Sequence, residues 1–215
     1  MKFLSRAVLV AVTVFAACSA YAEELKFAGL GLRDALTIRI ALNGGDYQNT
    51  KAGILKMTDG ATTFESYCAD VFSPMNTSFH SYTSSNVDFD AGTNLAMAGR
   101  IVANSYFDAD TANEQAALQI AIWSAIHNGG DSFNQNGSVF KVSGVSSEVL
   151  SLASLYFDKG FETPVNSATY FASTEVGAQS QIMANPVPEP GTMLALGAGV
   201  AALMASRKKK KSEKI

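Results

Sequence analysis

The chain has 215 residues, of which 47% are hydrophobic and 16% are charged, and its formal net charge is −3. This composition is typical of a globular protein and excludes a strongly basic protein that binds nucleic acid. With two cysteines and two histidines in all, a structural zinc site is unlikely on composition. The sequence therefore predicts no metal and no cofactor.

The first 22 residues have the pattern of a secretory signal peptide. Lys2 and Arg6 give a positive start, and residues 7–17 are apolar apart from one threonine. Ala20-Tyr21-Ala22 supplies the small residues that a signal peptidase accepts, with cleavage after Ala22. The apolar run is too short to cross a bilayer core of about 30 Å as a stable anchor. We therefore predict export.

The exported body is predicted to be one domain over residues 23–186. Between Glu23 and Pro186 there are eight Lys and Arg residues against seventeen Asp and Glu residues, a formal charge of −9. This charge argues against nucleic acid or anionic lipid as a partner. Cys18 leaves with the signal, so Cys68 cannot form an intramolecular disulfide. An odd cysteine in an exported protein indicates intermolecular pairing or special chemistry.

The first part of the body is predicted to be extended. Residues 36–42 alternate between apolar and polar side chains before a turn at 43–45, and residues 53–57 form a second possible strand. Residues 62–72 are rich in aromatic and β-branched side chains and predict a third strand, with Cys68 near its centre. Residues 73–91 are rich in Ser, Thr and Asn, and predict a long surface loop.

Residues 93–128 change to a helical period. Leu95, Ala98, Val102 and Tyr106 lie on one face of a first helix. Thr111 begins a capping box, which predicts the N-terminus of a second helix. That helix is expected to run to about residue 127 and to stop at Asn-Gly-Gly, residues 128–130.

A third helix is predicted over residues 147–159, and residues 170–183 are expected to add closing strands. The predicted fold class is α+β: a strand-rich sheet or partial barrel with a helical insertion at about 93–128.

Gln119 stands out within the second helix. It shares a stripe with Gln115, Ile122 and Ile126, and Trp123 lies one turn beyond it. A buried carboxamide without partners costs about 1–3 kcal/mol. Gln119 must therefore be hydrogen-bonded or cease to be a free carboxamide. Attack of a thiol on its carbonyl carbon, with loss of ammonia, would give a thioester.

Two short motifs resemble the paired motifs of thioester domains in bacterial surface proteins. They are Tyr67-Cys68-Ala69-Asp70 and Leu118-Gln119-Ile120-Ala121-Ile122-Trp123. The resemblance implies a mixed α/β fold in which Cys68 and Gln119 form an autocatalytic thioester, with Tyr67 and Trp123 as packing and shielding residues. It implies covalent attachment to an amine or a hydroxyl group of a surface protein or polymer. Such a reaction occurs once and is not enzymatic turnover.

The tail contains a second targeting element. Val187-Pro188-Glu189-Pro190 precedes an apolar segment, residues 193–205, and a basic cluster at 207–211. Lys and Arg after a span stay on the cytoplasmic side, and two prolines keep the preceding peptide extended. Residues 187–211 resemble the PEP-CTERM sorting signal of Gram-negative bacteria that produce exopolysaccharide, and residues 212–215 follow it.

The PEP-CTERM resemblance implies a partner and a route. The partner is an exosortase, a membrane-embedded cysteine transpeptidase that would cleave near Pro188, Glu189 and Pro190. The single transmembrane helix would anchor the chain in the inner membrane only transiently, before delivery to the cell surface or the extracellular matrix of a biofilm. An ordinary C-terminal membrane anchor is the alternative.

Other functions remain open at this stage. One is a non-reactive envelope or biofilm protein in which Cys68 is a buried thiol and Gln119 is a satisfied amide. A second is a glycan-binding module with aromatic contacts from Tyr82, Tyr106 and Tyr156. A third is a cysteine hydrolase in which Cys68 is the nucleophile. Its candidate bases and orienting acids are His80, His127, Asp70 and Asp131.

Overall fold

The computed structural model describes residues 21–30, 35–75 and 77–185. Most of the predicted signal peptide and the whole tail from residue 186 lie outside these ranges, as does the predicted transmembrane segment. Among the residues described, no helix has the length and apolar character needed to cross a membrane.

The described chain contains nine strands. In chain order they are β1 (Tyr21–Leu30), β2 (Leu36–Leu42), β3 (Gln48–Ala52), β4 (Leu55–Thr58), β5 (Thr63–Cys68), β6 (His80–Asn86), β7 (Phe140–Ser143), β8 (Ser167–Ser173) and β9 (Gln181–Asn185). Six of them close into an antiparallel barrel in the order β1-β4-β5-β9-β8-β6. Closure removes the free edges of these strands.

The other three strands form a separate sheet in the order β3-β2-β7. The central strand β2 buries Ile38 and Ile40. Because β2 alternates apolar and polar residues, it presents one face to the core. Its strand and turn were correctly predicted.

The described residues also form three α-helices: α1 (Asn94–Ser105), α2 (Ala112–Trp123) and α3 (Ser147–Lys159). A short 3-10 turn, Tyr106–Asp108, follows α1, and a π-helical turn, Ser124–Asn128, follows α2. The predicted helical region 93–128 is confirmed, and the third predicted helix matches α3.

The ends of α2 are set by local signals in the sequence. The Thr111 hydroxyl accepts from the Glu114 N–H at 3.3 Å, and the Glu114 carboxylate accepts from the Thr111 N–H at 2.9 Å. Gly129 has φ of +62° and donates its N–H to the carbonyls of Ser124 and Ala125. The capping box and the glycine stop therefore act as predicted.

Helix α2 lies in the centre of the main core. Its nine residues from Gln115 to Trp123 are all buried, and it packs against α1, α3 and the β3-β2-β7 sheet. A helix with contacts on every side needs apolar residues all round. This position brings a buried Gln119 into contact with the strands.

The structure corrects two predictions near the barrel. Residues 73–91 are not one long loop, because β6 occupies the middle of that segment and pairs with β1 and β8. Its polar side chains find partners: Ser81 donates to Glu24 at 2.6 Å and Ser84 to Glu23 at 2.9 Å. Cys68 is also the last residue of β5 rather than its centre, since the chain turns after it.

Candidate functional site

Strand β5 and helix α2 bring together two side chains that are 51 positions apart. Cys68 ends β5 and pairs with Gln181 of β9. Gln119 lies in the middle of α2, which crosses that end of the strand. Cys68 is 2% exposed and Gln119 is 1% exposed, so both side chains are shielded from water.

The Gln119 carboxamide is hydrogen-bonded to the main chain of Cys68 through both of its polar atoms. Oε1 accepts from the Cys68 N–H at 3.0 Å, and Nε2 donates to the Cys68 carbonyl at 2.8 Å. The amide plane is therefore fixed beside the residue that carries the thiol. The Cys68 N–H lies where negative charge on Oε1 would develop if the amide carbon were attacked.

The Cys68 thiol is neutral in this environment. Burial raises its pKa well above the ordinary value, and Sγ donates to the Asp70 carbonyl at 3.1 Å. The indole N–H of Trp123 lies near the sulfur and lowers the thiol pKa by a smaller amount. Even so, Trp123 Nε1 makes no hydrogen bond of ordinary geometry within the part of the chain described here.

A cavity of about 410 Å³ opens above this pair. Cys68, Gln119 and Trp123 contribute to its lining, together with residues 48–51 of β3, residues 71–75 and Gln179. The cavity therefore gives a small molecule or a side chain a route to the two buried groups. The sequence analysis did not predict that β3 or residues 71–75 would line the site, because neither segment contains a recognisable motif.

Tyr67 and Trp123, the two residues proposed for packing and shielding, are both buried. Tyr67 is fully buried and meets Tyr106 edge-to-face, with ring centroids 5.9 Å apart. Trp123 packs at a tilt on Phe140, also at 5.9 Å. These aromatic contacts bury the residue before Cys68 and the tryptophan one turn after Gln119 in apolar surroundings.

Within the described ranges, no candidate hydrolase side chain is hydrogen-bonded to the Cys68 thiol, although Asp70 lies close enough to Cys68 and His127 to act on both electrostatically. His80 lies on β6, and its Nδ1 is 2.6 Å from Glu175. His127 packs edge-on against Phe72 at 5.0 Å, and burial lowers its pKa. Among the described residues, no hydrogen bond joins either histidine to Cys68.

The two acids proposed for a hydrolase have other environments. The Asp70 side chain accepts from the Phe72 N–H at 2.9 Å and the Ser73 hydroxyl at 2.6 Å, which closes a turn. Asp131 lines a different cavity beside the start of α1. Neither arrangement orients an imidazole toward a nucleophile.

The tyrosines considered for glycan binding are also engaged elsewhere. Tyr82 and Tyr156 are each 3% exposed. The Tyr106 hydroxyl donates to the Glu65 carbonyl at 3.0 Å, and its ring contacts Tyr67. These side chains do not form an exposed aromatic surface of the kind that stacks on sugars.

Comparison with known families identifies the tail. The family model for the PEP-CTERM protein-sorting motif matches residues 186–209. These residues are a PEP-CTERM sorting motif. The prediction from the proline motif, the apolar segment and the basic cluster is confirmed, and the motif indicates export to the cell surface. The match begins directly after β9 ends.

Solved structures with similar chain paths come from Streptococcus pyogenes. One is the N-terminal domain of the pilus tip adhesin Cpa, with 17% identity and a TM-score of 0.43; the match covers 75% of this chain and 99% of that chain. Another is the N-terminal thioester domain of the fibronectin-binding protein SfbI, with 14% identity and a TM-score of 0.42; it covers 75% and 98% of the two chains. No curated protein matches the chain.

Proposed function

We propose that this protein is exported through its PEP-CTERM motif and attaches covalently to a surface through a thioester between Cys68 and Gln119. The observation that carries the proposal is the pair of hydrogen bonds between the Gln119 carboxamide and the Cys68 main chain. These bonds hold the buried Gln119 amide beside Cys68, the one cysteine in the sequence between residues 23 and 186.

The bond-forming step is balanced within the two residues. Cys68 Sγ adds to the Gln119 carbonyl carbon while the thiol proton moves to the departing nitrogen. The C–N bond breaks, ammonia leaves, and a C–S bond remains. The Cys68 N–H, 3.0 Å from Oε1, would stabilise the oxyanion of the intermediate as an oxyanion-hole donor does.

The thioester would then act as a protected electrophile. An amine that enters the cavity attacks the acyl carbon of Gln119, the C–S bond breaks, and an amide forms as the Cys68 thiol is restored. A hydroxyl group would give an ester in the same way. The product is one covalent link per protein, with no turnover, and an exosortase is the proposed processing partner at Pro188, Glu189 and Pro190.

One observation favours a second candidate, a non-reactive envelope protein. Both polar atoms of the free Gln119 amide already have partners, so the amide carries no unsatisfied-group penalty. Loss of ammonia would leave the Cys68 carbonyl without that donor. Under this reading the pair of hydrogen bonds only ties α2 to β5.

The mass of the intact protein separates the two candidates. The chain from Glu23 to Asn185 keeps the helices and β2 to β9 whole and shortens β1 by only two residues. We expect its mass to be lower than the sequence mass by one ammonia. Cys68→Ala and Gln119→Ala should each restore the full mass expected for the variant.

Gln115→Ala is the matched control for this experiment. Gln115 is 2% exposed on the same helix, one turn before Gln119, and it should leave the mass loss unchanged. Methylamine should add to Gln119 and release a thiol that titrates after unfolding. A wild-type protein of full mass with a titratable Cys68 thiol would contradict the proposal and favour the non-reactive protein.

A further inference from the structure

Strand β3 forms an open edge of the three-stranded sheet. It pairs with β2 on one side, and no other strand among the described residues lies on its second side. Its residues Gln48, Asn49 and Lys51 are exposed. An open edge presents main-chain N–H and C=O groups that can pair with another polypeptide.

The hydrogen bonds of β2 show which groups of β3 point outward. The Asn43 N–H donates to the Val139 carbonyl at 2.8 Å, so the odd residues at this end of β2 direct their main-chain groups toward β7. The even residues then face β3, because directions alternate along an antiparallel strand. Ile38 is paired with Thr50, so Thr50 bonds to β2, and its neighbours Asn49 and Lys51 direct their N–H and C=O groups away from the sheet.

This open edge forms one wall of the cavity above Cys68 and Gln119. Residues 48–51 and residues 71–75 both line that cavity. A second cavity of about 360 Å³ continues along the same strand toward Gly45 and Asp46, and shares Gln48, Asn49 and Thr50 with the first. The two cavities together make a groove that follows β3 and passes over the proposed thioester.

We propose that this groove binds the target as an extended polypeptide that adds a strand to β3 and delivers a lysine amine to Gln119. The inference rests on the proposed function, and it names the substrate class of that same site. Strand addition uses main-chain hydrogen bonds for affinity and alternate side chains for specificity. Every second side chain of such a strand would point down toward the thioester.

The surroundings of the groove favour a basic peptide over a sugar. Outward N–H and C=O groups at Asn49 and Lys51 repeat with the spacing of a peptide backbone. Phe72, which is 50% exposed, and Met75, which is 38% exposed, also line the cavity, and they offer apolar contacts to the flanking side chains. Asp46 lines one cavity of the groove and Lys51 the other, while the charge of −9 between residues 23 and 186 attracts a cationic segment to the domain as a whole.

Coupling of the target requires only the thioester and the lysine amine. The lysine nitrogen bonds to the Gln119 acyl carbon, the C–S bond to Cys68 breaks, and one proton of the amine ends on the thiol. The new amide joins the target lysine to Gln119.

The test compares peptides that differ only in their ability to pair as a strand. The probes are short peptides of alternating valine and threonine with one central lysine, either unmodified or N-methylated on alternate peptide nitrogens. Methylamine reports the intrinsic reactivity of the bond, and a soluble glucose oligosaccharide represents the hydroxyl class. Adduct formation is followed by intact mass on the chain from Glu23 to Asn185.

We expect the unmodified peptide to couple at least about fivefold faster than the N-methylated one, the equivalent of one hydrogen bond of about 1 kcal/mol. Asn49→Pro removes an outward N–H and should slow peptide coupling by a similar factor. Asn49→Ala keeps that N–H and is the matched control, with little change expected. The rate of peptide coupling is divided by the rate of methylamine coupling in the same protein, so that a change in the reactivity of the bond itself cancels.

Each outcome decides between explanations. Equal rates for the two peptides, or faster coupling of the oligosaccharide, would overturn strand addition while leaving the thioester in place. A protein that lacks the ammonia loss would overturn the proposed function and this inference with it. The N-methylated peptide tests the contact in the unaltered protein, so the result does not depend on whether Asn49→Pro folds.

Discussion

At the scale of single residues, the central question is how a neutral thiol and a buried amide share one site. The Gln119 amide bonds to the main chain of Cys68 on both sides, while the sulfur bonds to the Asp70 carbonyl. The thiol is therefore poised as S–H rather than as thiolate. Formation of the proposed thioester would remove the ionisable group from the core altogether.

This difference predicts a pH dependence of stability in a variant with a free thiol. In Gln119→Ala, burial still raises the pKa of Cys68 in the folded state. The unfolded thiol loses its proton above about pH 8.5 while the folded one keeps it, so the unfolded state gains stability as pH rises. We expect the free energy of unfolding of Gln119→Ala to fall by about 1.4 kcal/mol per pH unit above that value.

Urea unfolding at several values between about pH 8 and 9.5 measures this slope. The double variant Gln119→Ala, Cys68→Ala is the control and should show no such fall. Tyr67 also has a raised pKa from burial, but its effect begins only above about pH 10. An unaltered protein with the same slope as Gln119→Ala would show that its thiol is free.

Among the helices and strands, the sequence predicted those whose ends are set by nearby side chains or whose apolar residues repeat with a regular spacing. The Thr111 capping box, the stop at Gly129 and the position of α3 follow from side chains close in sequence. The helical region and β2 follow from the spacing of apolar residues. The burial of Gln119 was predicted in the same way, from its place in an apolar stripe.

Elements held by long-range pairing were missed for a physical reason. Strand β6 has few apolar residues, and Tyr82 is its one buried aromatic. Its main chain pairs with β1 on one edge and with β8 on the other. Such pairing between distant segments leaves no pattern in the residues of β6 itself. Strand β3, Gln48–Ala52, is also polar, but it pairs on one edge only and three of its five residues are exposed. It therefore lacks the apolar alternation that identified β2.

The cap of α2 contributes to the stability of the helix that carries Gln119. Thr111→Ala removes the side-chain acceptor for the Glu114 N–H and should lower the free energy of unfolding by about 1 kcal/mol. Urea unfolding measures the loss. Thr111→Ser keeps the hydroxyl and should recover most of the stability.

Thr111→Ala also shows whether the proposed thioester forms in a protein with a less stable α2. Thr111 begins α2 two turns before Gln119, so Thr111→Ala should retain the ammonia loss of the unaltered chain. A Thr111→Ala protein of full mass would mean that the reaction depends on the ordering of the whole helix. Equal stability of the Ala and Ser variants would contradict the capping role.

At the scale of the whole molecule, the barrel and the sorting motif meet at one point in the chain. Strand β9 ends at Asn185, and the PEP-CTERM match starts at residue 186. β9 closes the barrel by pairing with both β5 and β8. It also fixes the end of β5, because Gln181 pairs with Cys68.

This arrangement predicts that cleavage of the tail leaves the folded body intact. A chain that ends at Asn185 keeps β9, including the hydrogen bond of 2.7 Å from Asn185 to Thr169. A chain that ends at Ser180 loses β9 and Ile182, which is fully buried, and opens the barrel between β5 and β8. Loss of a buried aliphatic side chain alone costs about 2–5 kcal/mol.

Denaturant midpoints of the two shortened chains therefore test whether the folded body extends to Asn185, directly before the family match begins. The chain ending at Asn185 should unfold in one cooperative transition and show the ammonia loss. The chain ending at Ser180 should unfold at a much lower midpoint and keep its full mass, because the end of β5 is no longer fixed against α2. Equal midpoints would mean that β9 is not needed to close the barrel, and that Cys68 is held by α2 alone.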